Sequence, residues 1–186
     1  LFQLENTPKL FFDKFNLFDY LIQNSISDRP FYEFGVWKGV SFKYILKSIK
    51  KGFGFDTFTG LPENWYNEKV GTYSNNGIIP KMKGGKFIEG IFKDSLPKFF
   101  SEKRALASII NFDADLYSST LCALENCKKI IDDRTILIFD EFLMSDKWEE
   151  DEYKALNEFC VNNNLSYKVI AVSLFSKQVA VKIVKY

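Results

Sequence analysis

Short apolar runs of five or six residues alternate along the chain with longer stretches in which apolar residues return every three or four positions. The short runs have strand length and are β-branched or aromatic, and the longer ones carry helical periodicity. Thr7-Pro8 forms an N-cap and N1 pair, and Phe11, Phe15, Phe18 and Ile22 follow at helical spacing until Ser27-Asp28-Arg29-Pro30. Strands are predicted at Phe31 to Val36, Phe53 to Phe58, Lys86 to Phe92, Ala107 to Phe112 and Thr135 to Phe139. Between them lie helical patterns at Val40 to Lys50, Pro97 to Arg104 and Ser119 to Ile131, the second opened by Asp94-Ser95. A helix from Glu149 to Asn162 follows, with its acids gathered in the first turn. Tyr167 to Leu174 and Gln178 to Lys185 differ in kind. A tight connection joins them, which predicts an antiparallel hairpin at the sheet edge.

This order predicts an α/β domain spanning residues 1–186, with helices on both faces of a mostly parallel seven-stranded sheet that ends in the hairpin. Residues 59–85 break the rhythm. They are rich in Gly, Pro, Asn and Lys, and their length suits a lid or substrate loop better than an inert connection.

Composition narrows the classes. A net charge of +1 with scattered lysines implies no nucleic-acid partner. No run of 18 apolar residues and no signal-peptide pattern occurs, so a cytoplasmic protein without membrane attachment is expected. The chain opens on Leu1 rather than Met, which leaves room for a processed or trimmed N-terminus. Cys122, Cys127 and Cys160 show no CxxC spacing and read as small core residues. With no histidine, zinc sites and His-based triads are nearly excluded.

Chemistry concentrates at predicted strand ends. Asp113-Ala-Asp115-Leu-Tyr117-Ser118-Ser119 and Asp140-Glu141 each follow a buried run, with a helix between them, so the two runs form a βαβ unit. Neighbouring parallel strands lie about 4.8 Å apart, which brings Asp113, Asp140 and Glu141 to one point at the rim where open α/β sheets bind ligands. Three carboxylates without a basic partner in the sequence suggest a hard divalent cation. Asp115 is expected to turn away and hydrogen-bond the helix start at Tyr117-Ser118-Ser119.

The turn Glu33-Phe-Gly35-Val-Trp37-Lys-Gly39-Val-Ser41 joins a strand to a helix with G-x-x-x-G spacing, which lacks the third glycine of a dinucleotide site. Its glycines let a ligand approach the backbone, and Glu33 suits an ammonium group, directly or through water, better than a phosphate. Asp56 closes the second strand, where an acid accepts from ribose hydroxyls, and Asp94 and Ser95 stand near an adenine edge. Tyr117, Trp37 and Trp65 are candidates for the pocket border, although most aromatics in so aromatic a chain are core.

Together, Glu33 to Gly39, Gly54 to Pro62, Gly90 to Pro97, Asp113 to Thr120 and Phe139 to Glu141 resemble the macrocin O-methyltransferase family over roughly Phe31 to Phe159. The resemblance implies a Rossmann-like methyltransferase fold and an S-adenosylmethionine- and Mg²⁺-dependent O-methyltransferase acting on a hydroxyl of a sugar, glycan or glycosylated natural product. It assigns cofactor binding to Glu33, Gly35, Trp37, Gly39 and Ser41, with the methionine part at Glu33 to Gly39. Asp56 and Thr57 serve the same cofactor, with ribose at Asp56, and adenine lies near Asp94 and Ser95. Metal falls on Asp113, Asp140 and Glu141, with Asp113 as ligand and base. Glu141 stands where relatives often carry Asp, and the chain is shorter than usual before the first strand, where relatives bind acceptor. The partners implied are a small-molecule or glycan acceptor and a homo-oligomeric copy. The alternative is a non-catalytic or differently reacting nucleotide- or metal-binding domain of the same fold.

Overall fold

The computed structural model describes residues 7–143 and 146–185; the Leu1 start lies outside them. Its elements are β1 (Lys9–Phe11), α1 (Lys14–Gln23), β2 (Phe31–Phe34), α2 (Val40–Leu46), β3 (Gly52–Asp56), β4 (Gly85–Glu89) and α3 (Phe92–Phe100). They continue as β5 (Ile109–Phe112), α4 (Tyr117–Cys127), β6 (Ile136–Phe139), α5 (Glu152–Asn162), β7 (Leu165–Ser173) and β8 (Val179–Lys185). Among the described residues the strands form one sheet in the order β1-β7-β8-β6-β5-β2-β3-β4, antiparallel only where β8 meets β6 and β7.

The sheet therefore has eight strands rather than the expected seven. The extra one is β1, which pairs parallel to β7 through Lys9↔Ala171 and Phe11↔Ser173. Thr7-Pro8 consequently does not open the first helix. Asp13 caps it, its Oδ1 accepting from the N–H groups of Phe15 and Asn16 at 2.9 and 3.1 Å. The hairpin also sits one strand further in than an edge, because β1 covers β7 and β8 docks on β6.

Strands β2, β5 and β6 are buried at every position, as parallel strands covered on both faces must be. Alternation splits their side chains between two cores. Tyr32, Phe34, Ile110, Phe112, Leu137 and Phe139 pack under α3, α4 and α5, while Phe31, Ile109, Ile136 and Ile138 pack under α1 and α2. Four phenylalanines make a continuous ladder across the sheet. Phe55, Phe34, Phe112 and Phe139 stack in register, with ring centroids 4.9, 5.4 and 4.9 Å apart, and each is fully buried. Burying one such ring stabilises the fold by about 2–3 kcal/mol.

The ladder has a functional consequence because it levels the strand ends. The residue after each phenylalanine is Gly35, Asp56, Asp113 or Asp140. These four emerge side by side on adjacent strands at the carboxyl rim. The chain winds from β2 outward through β3 and β4, then returns to β5 and β6 on the other side, so the rim between β2 and β5 is the switch point where such sheets bind ligands.

At the opposite end, Arg29 makes a two-pronged ion pair with Asp132, 2.9 Å on each prong, and ties the start of β2 to the turn before β6. No helix among the described residues is long and apolar enough to cross a membrane.

Candidate active site

A cavity of about 780 Å³ opens at the switch point. Its floor is the row of strand ends, with Gly35, Asp56, Asp113 and Asp140 all lining it, and Val36, Trp37, Val40, Ser41 and Thr57 continue the surface toward β3. Ile91, Phe92 and Lys93 wall one side, and Asp115, Ser118, Ser119 and Glu141 wall the other. Trp65 borders it as expected, whereas Tyr117 bonds to Glu158 and does not line it.

The glycine turn is shaped by backbone crowding. Gly35 has φ +90°, and a Cβ there would sit 1.7 Å from the carbonyl oxygen of Asp113. Only glycine lets β2 and β5 approach this closely, so Gly35 closes the switch point while lining the cavity floor. Gly39, at φ 73°, is the N-cap of α2. Asp56 then locks the turn. Its Oδ2 accepts from the N–H groups of Val36 and Trp37 at 2.7 and 2.6 Å, and its Oδ1 accepts from Phe58 N–H at 2.7 Å. A carboxylate with three charge-assisted bonds is rigid and still has lone pairs facing the cavity.

Glu33 lies beneath this surface and does not line the cavity. By alternation it points to the face of α1 and α2, opposite its register partner Asn111, whose Nδ2 donates to Oε1 at 2.8 Å. Its other oxygen has no protein partner. Burial pushes its pKa up to about 8. Asp94 and Ser95 also stand apart, inside the first turn of α3. The helix starts five residues earlier than Pro97 predicts, Ser95 Oγ bonds back to Ile91 at 3.1 Å, and the neighbouring cavity wall comes from Ile91 to Lys93 instead.

The β5–β6 end gathers acids. Burial, then repulsion from Asp140, raises the Asp113 carboxyl well above the usual carboxylate range. Burial likewise raises Asp140, opposed by a hydrogen bond from Gln178 Nε2 to its Oδ1 and by the charge of Lys14. Asp115 corrects the sequence expectation. Its φ of +61° reverses the chain before α4, so strand alternation no longer governs it. It lines the cavity, and burial lifts its pKa to about 7, while Leu116 takes the N-cap position without a side-chain bond. Glu141 is not free of basic partners: Lys177, 36 residues away, holds its Oε2 at 3.1 Å. Beneath it, the fully buried Glu152 accepts from Glu141 N–H at 3.0 Å and keeps one oxygen without a protein partner.

All-oxygen anionic donors match the chemistry of a hard cation, and the charge of Lys14 only partly offsets the Asp113–Asp140 pair, both of whose carboxyls stay raised. The expected three-ligand set is nonetheless not assembled. Among the described residues no three His, Cys, Asp or Glu side chains are grouped to hold a metal ion, and Glu141 is drawn to Lys177 instead.

Several cavity residues escaped the sequence reading, including Lys14, Glu63, Tyr73 and Asp115. One signal was available: of the five Phe-Asp dipeptides, Phe55-Asp56, Phe112-Asp113 and Phe139-Asp140 close apolar runs of strand length and mark three level strand ends, whereas Phe12-Asp13 and Phe18-Asp19 fall in the first helical pattern.

Residues 82–176, just over half of the chain, match the family model described as Macrocin-O-methyltransferase (TylF). The chain belongs to this family. It is an S-adenosylmethionine-dependent O-methyltransferase, and the matched segment contains the whole acid cluster from Asp113 to Glu152. Solved structures share the fold. The calicheamicin methyltransferase CalS11 aligns with a TM-score of 0.71 at 18% identity over 90% of this chain and 77% of that one. A second structure, described as CalS11, a TDP-rhamnose 3'-O-methyltransferase, aligns at 0.65 with 20% identity over 90% and 77%. The O-methyltransferase NovP aligns at 0.65 with 17% identity over 90% and 78%. No curated protein sequence matches the chain.

Proposed function

We propose that this family member methylates a hydroxyl of a sugar, glycan or glycosylated natural product, with Mg²⁺ bound at the Asp113–Asp140 end of the cavity. The observation that carries the reading is the single row Asp56, Gly35, Asp113, Asp140 along one cavity floor. It sets a donor end, whose one carboxylate is satisfied by backbone N–H groups, beside an acidic acceptor end. The likeness to a TDP-rhamnose 3'-O-methyltransferase supports a sugar acceptor, and about 780 Å³ is room for a nucleoside-sized donor and part of an acceptor.

The donor is held by the turn from Val36 to Gly39, by Ser41, by Asp56 with Thr57, and by the wall from Ile91 to Lys93. Asp94, next after that wall in the first turn of α3 and set back from the cavity, serves the adenine end. When bound, S-adenosylmethionine supplies an electrophilic methyl group, and Mg²⁺ on Asp113, Asp140 and, once released, Glu141 supplies charge that acidifies an alcohol. The protein's own part is placement and proton removal. Asp56 fixes the donor turn before any ligand arrives, so little ordering remains at the moment of reaction. Asp113, at the acceptor end of the cavity floor, takes the acceptor's proton. Residues 59–85 close the site as a lid. They bond to each other through Leu61 and Thr72 and through Trp65 and Glu68, then reach across the cavity to α4 and the start of α5: Glu63 accepts from Ser118, and Trp65 and Tyr66 donate to Asp151 at 3.2 and 2.6 Å. A cover of this kind excludes water from the methyl donor.

Calorimetry with S-adenosylmethionine and its demethylated product tests the donor end. Both bind, and Asp56→Ala weakens binding by about 100-fold, because it releases three N–H groups at once. Absence of heat from either ligand at submillimolar concentration, or unchanged affinity in the variant, overturns the assignment.

A further inference from the structure

Lys177 stands in the turn between β7 and β8 at φ 69°, in the left-handed region that glycine occupies easily and a long side chain does not. Its ammonium lies 3.1 Å from Oε2 of Glu141, with the two side chains 37% and 25% exposed. The next residue, Gln178, donates to Oδ1 of Asp140. The turn is fastened from the other side as well. The N–H groups of Leu174 and Phe175 donate to the carbonyls of Phe11 and Phe12 at 2.8 and 3.1 Å, and the hydroxyls of Ser173 and Ser176 lie 2.6 Å apart. Two consecutive side chains of one anchored turn thus address two consecutive carboxylates of the acid cluster.

The two contacts differ in kind. Gln178 is neutral and orients Asp140 without opposing a cation, whereas Lys177 carries a charge that repels any divalent ion approaching Glu141. Resting on the reading of Asp113, Asp140 and Glu141 as the metal end of the cavity, we propose that Lys177 is a built-in counter-charge for Glu141, displaced when a divalent cation binds. The β7–β8 turn thereby sets metal affinity. It also keeps the cluster from standing as an uncompensated patch of negative charge in the metal-free protein. Asp113 and Asp140 would form the entry site, and Glu141 would join them only as the ammonium leaves.

Titration of the full-length protein with Mn²⁺, followed by calorimetry and by the electron paramagnetic resonance of the free ion, tests this without turnover. Lys177→Met tightens the Mn²⁺ dissociation constant by about three- to tenfold, the range expected for removing a partly exposed ion pair that opposes binding. Lys177→Arg keeps the charge and stays within about twofold of the unmutated protein. Lys177→Gly removes the charge and suits the left-handed backbone, so it shows the same tightening even if the Met variant folds poorly. Adding Glu141→Gln to either charge-free variant erases the gain, which isolates the pair. Equal Mn²⁺ affinity in the unmutated, Met and Gly proteins, or weaker affinity in the last two, overturns the role of Lys177 and leaves the metal reading standing. Absence of Mn²⁺ binding in all of them overturns the metal reading itself.

Discussion

At the β3 end of the rim Asp56 accepts three backbone N–H groups at 2.6–2.7 Å, whereas two and three strands away Asp113 and Asp140 face each other with the neutral amide of Gln178 on one of them. Both ends are carboxylates that follow a buried phenylalanine at the same level of the same sheet. Their partners make the difference. Asp56 is surrounded by a turn whose free N–H groups point inward, so its charge is satisfied locally and the donor turn is rigid in the ligand-free protein. Asp113 and Asp140 protrude where two strands and a reversed residue, Asp115, bring acids together; burial raises both carboxyls, repulsion from Asp140 adds to the rise at Asp113, and hydrogen bonds from Gln178 and with Asp113 oppose it at Asp140. A preformed end and a charge-hungry end share one cavity, the first suited to holding a donor and the second to taking up positive charge and a proton.

The sharpest way to break this comparison is to remove charge at the second end alone. Asp140→Asn lowers turnover by at least about a hundredfold, because the cation and the proton acceptor lose a negative neighbour. Donor affinity, measured by calorimetry, stays within about threefold, since Asp56 and its turn are untouched. The metal-free variant melts at or above the unmutated protein, as relief of repulsion with Asp113 outweighs one altered hydrogen bond. A fall in donor affinity equal to the fall in turnover would merge the two ends into one.

Glu33 sharpens the comparison beneath the floor. Its carboxyl titrates near 4.5 in the unfolded chain and at about 8 when folded, because burial disfavours the charged form. Between these values the folded protein holds a proton that the unfolded chain has released, so stability falls as pH rises from about 4.5 to 8 and then levels. Glu33→Gln keeps the acceptor for Asn111 and removes this dependence. Chemical denaturation at pH 5 and pH 8.5 finds the variant close to the unmutated protein at the lower pH. At the higher pH it is more stable, by a margin on the order of 4 kcal/mol at most. Parallel pH profiles for the two proteins refute the buried neutral carboxyl.

The smallest effect belongs to the far end of the sheet. Arg29 holds the Asp132 carboxyl down to about 2, helped by Thr135 and opposed by partial burial. That contribution is present above the unfolded value near 3.8 and disappears as pH falls through 2. Arg29→Met lowers stability at pH 7 by about 1 kcal/mol and flattens its acid limb, with donor affinity and turnover unchanged. Altered turnover in this variant would show that the two ends of the sheet are coupled.

From β2 onward, the order of elements, their types and the rim positions of Asp56, Asp113 and Asp140 were determined by the sequence, because burial on both faces of a parallel sheet leaves so strong a hydrophobic signature that a polar residue marks the strand's exit. The composition of residues 59–85 likewise marked a loop that does reach the site through Gly60 to Glu63, Trp65 and Tyr73. What only the tertiary structure decided are relations between distant segments. Lys9 to Phe11 carried a helical spacing, yet form a strand because β7 offers an open edge. Gly35, placed by its spacing in a ligand-binding turn, also has to clear the carbonyl of Asp113. Asp115, expected to cap the next helix, lines the cavity through a left-handed turn, and Glu141 meets Lys177 across 36 residues. Periodicity reports the solvent that each residue sees, while the partner of a buried charge depends on which loops the sheet order brings together, and that is set by long-range packing rather than by any local pattern.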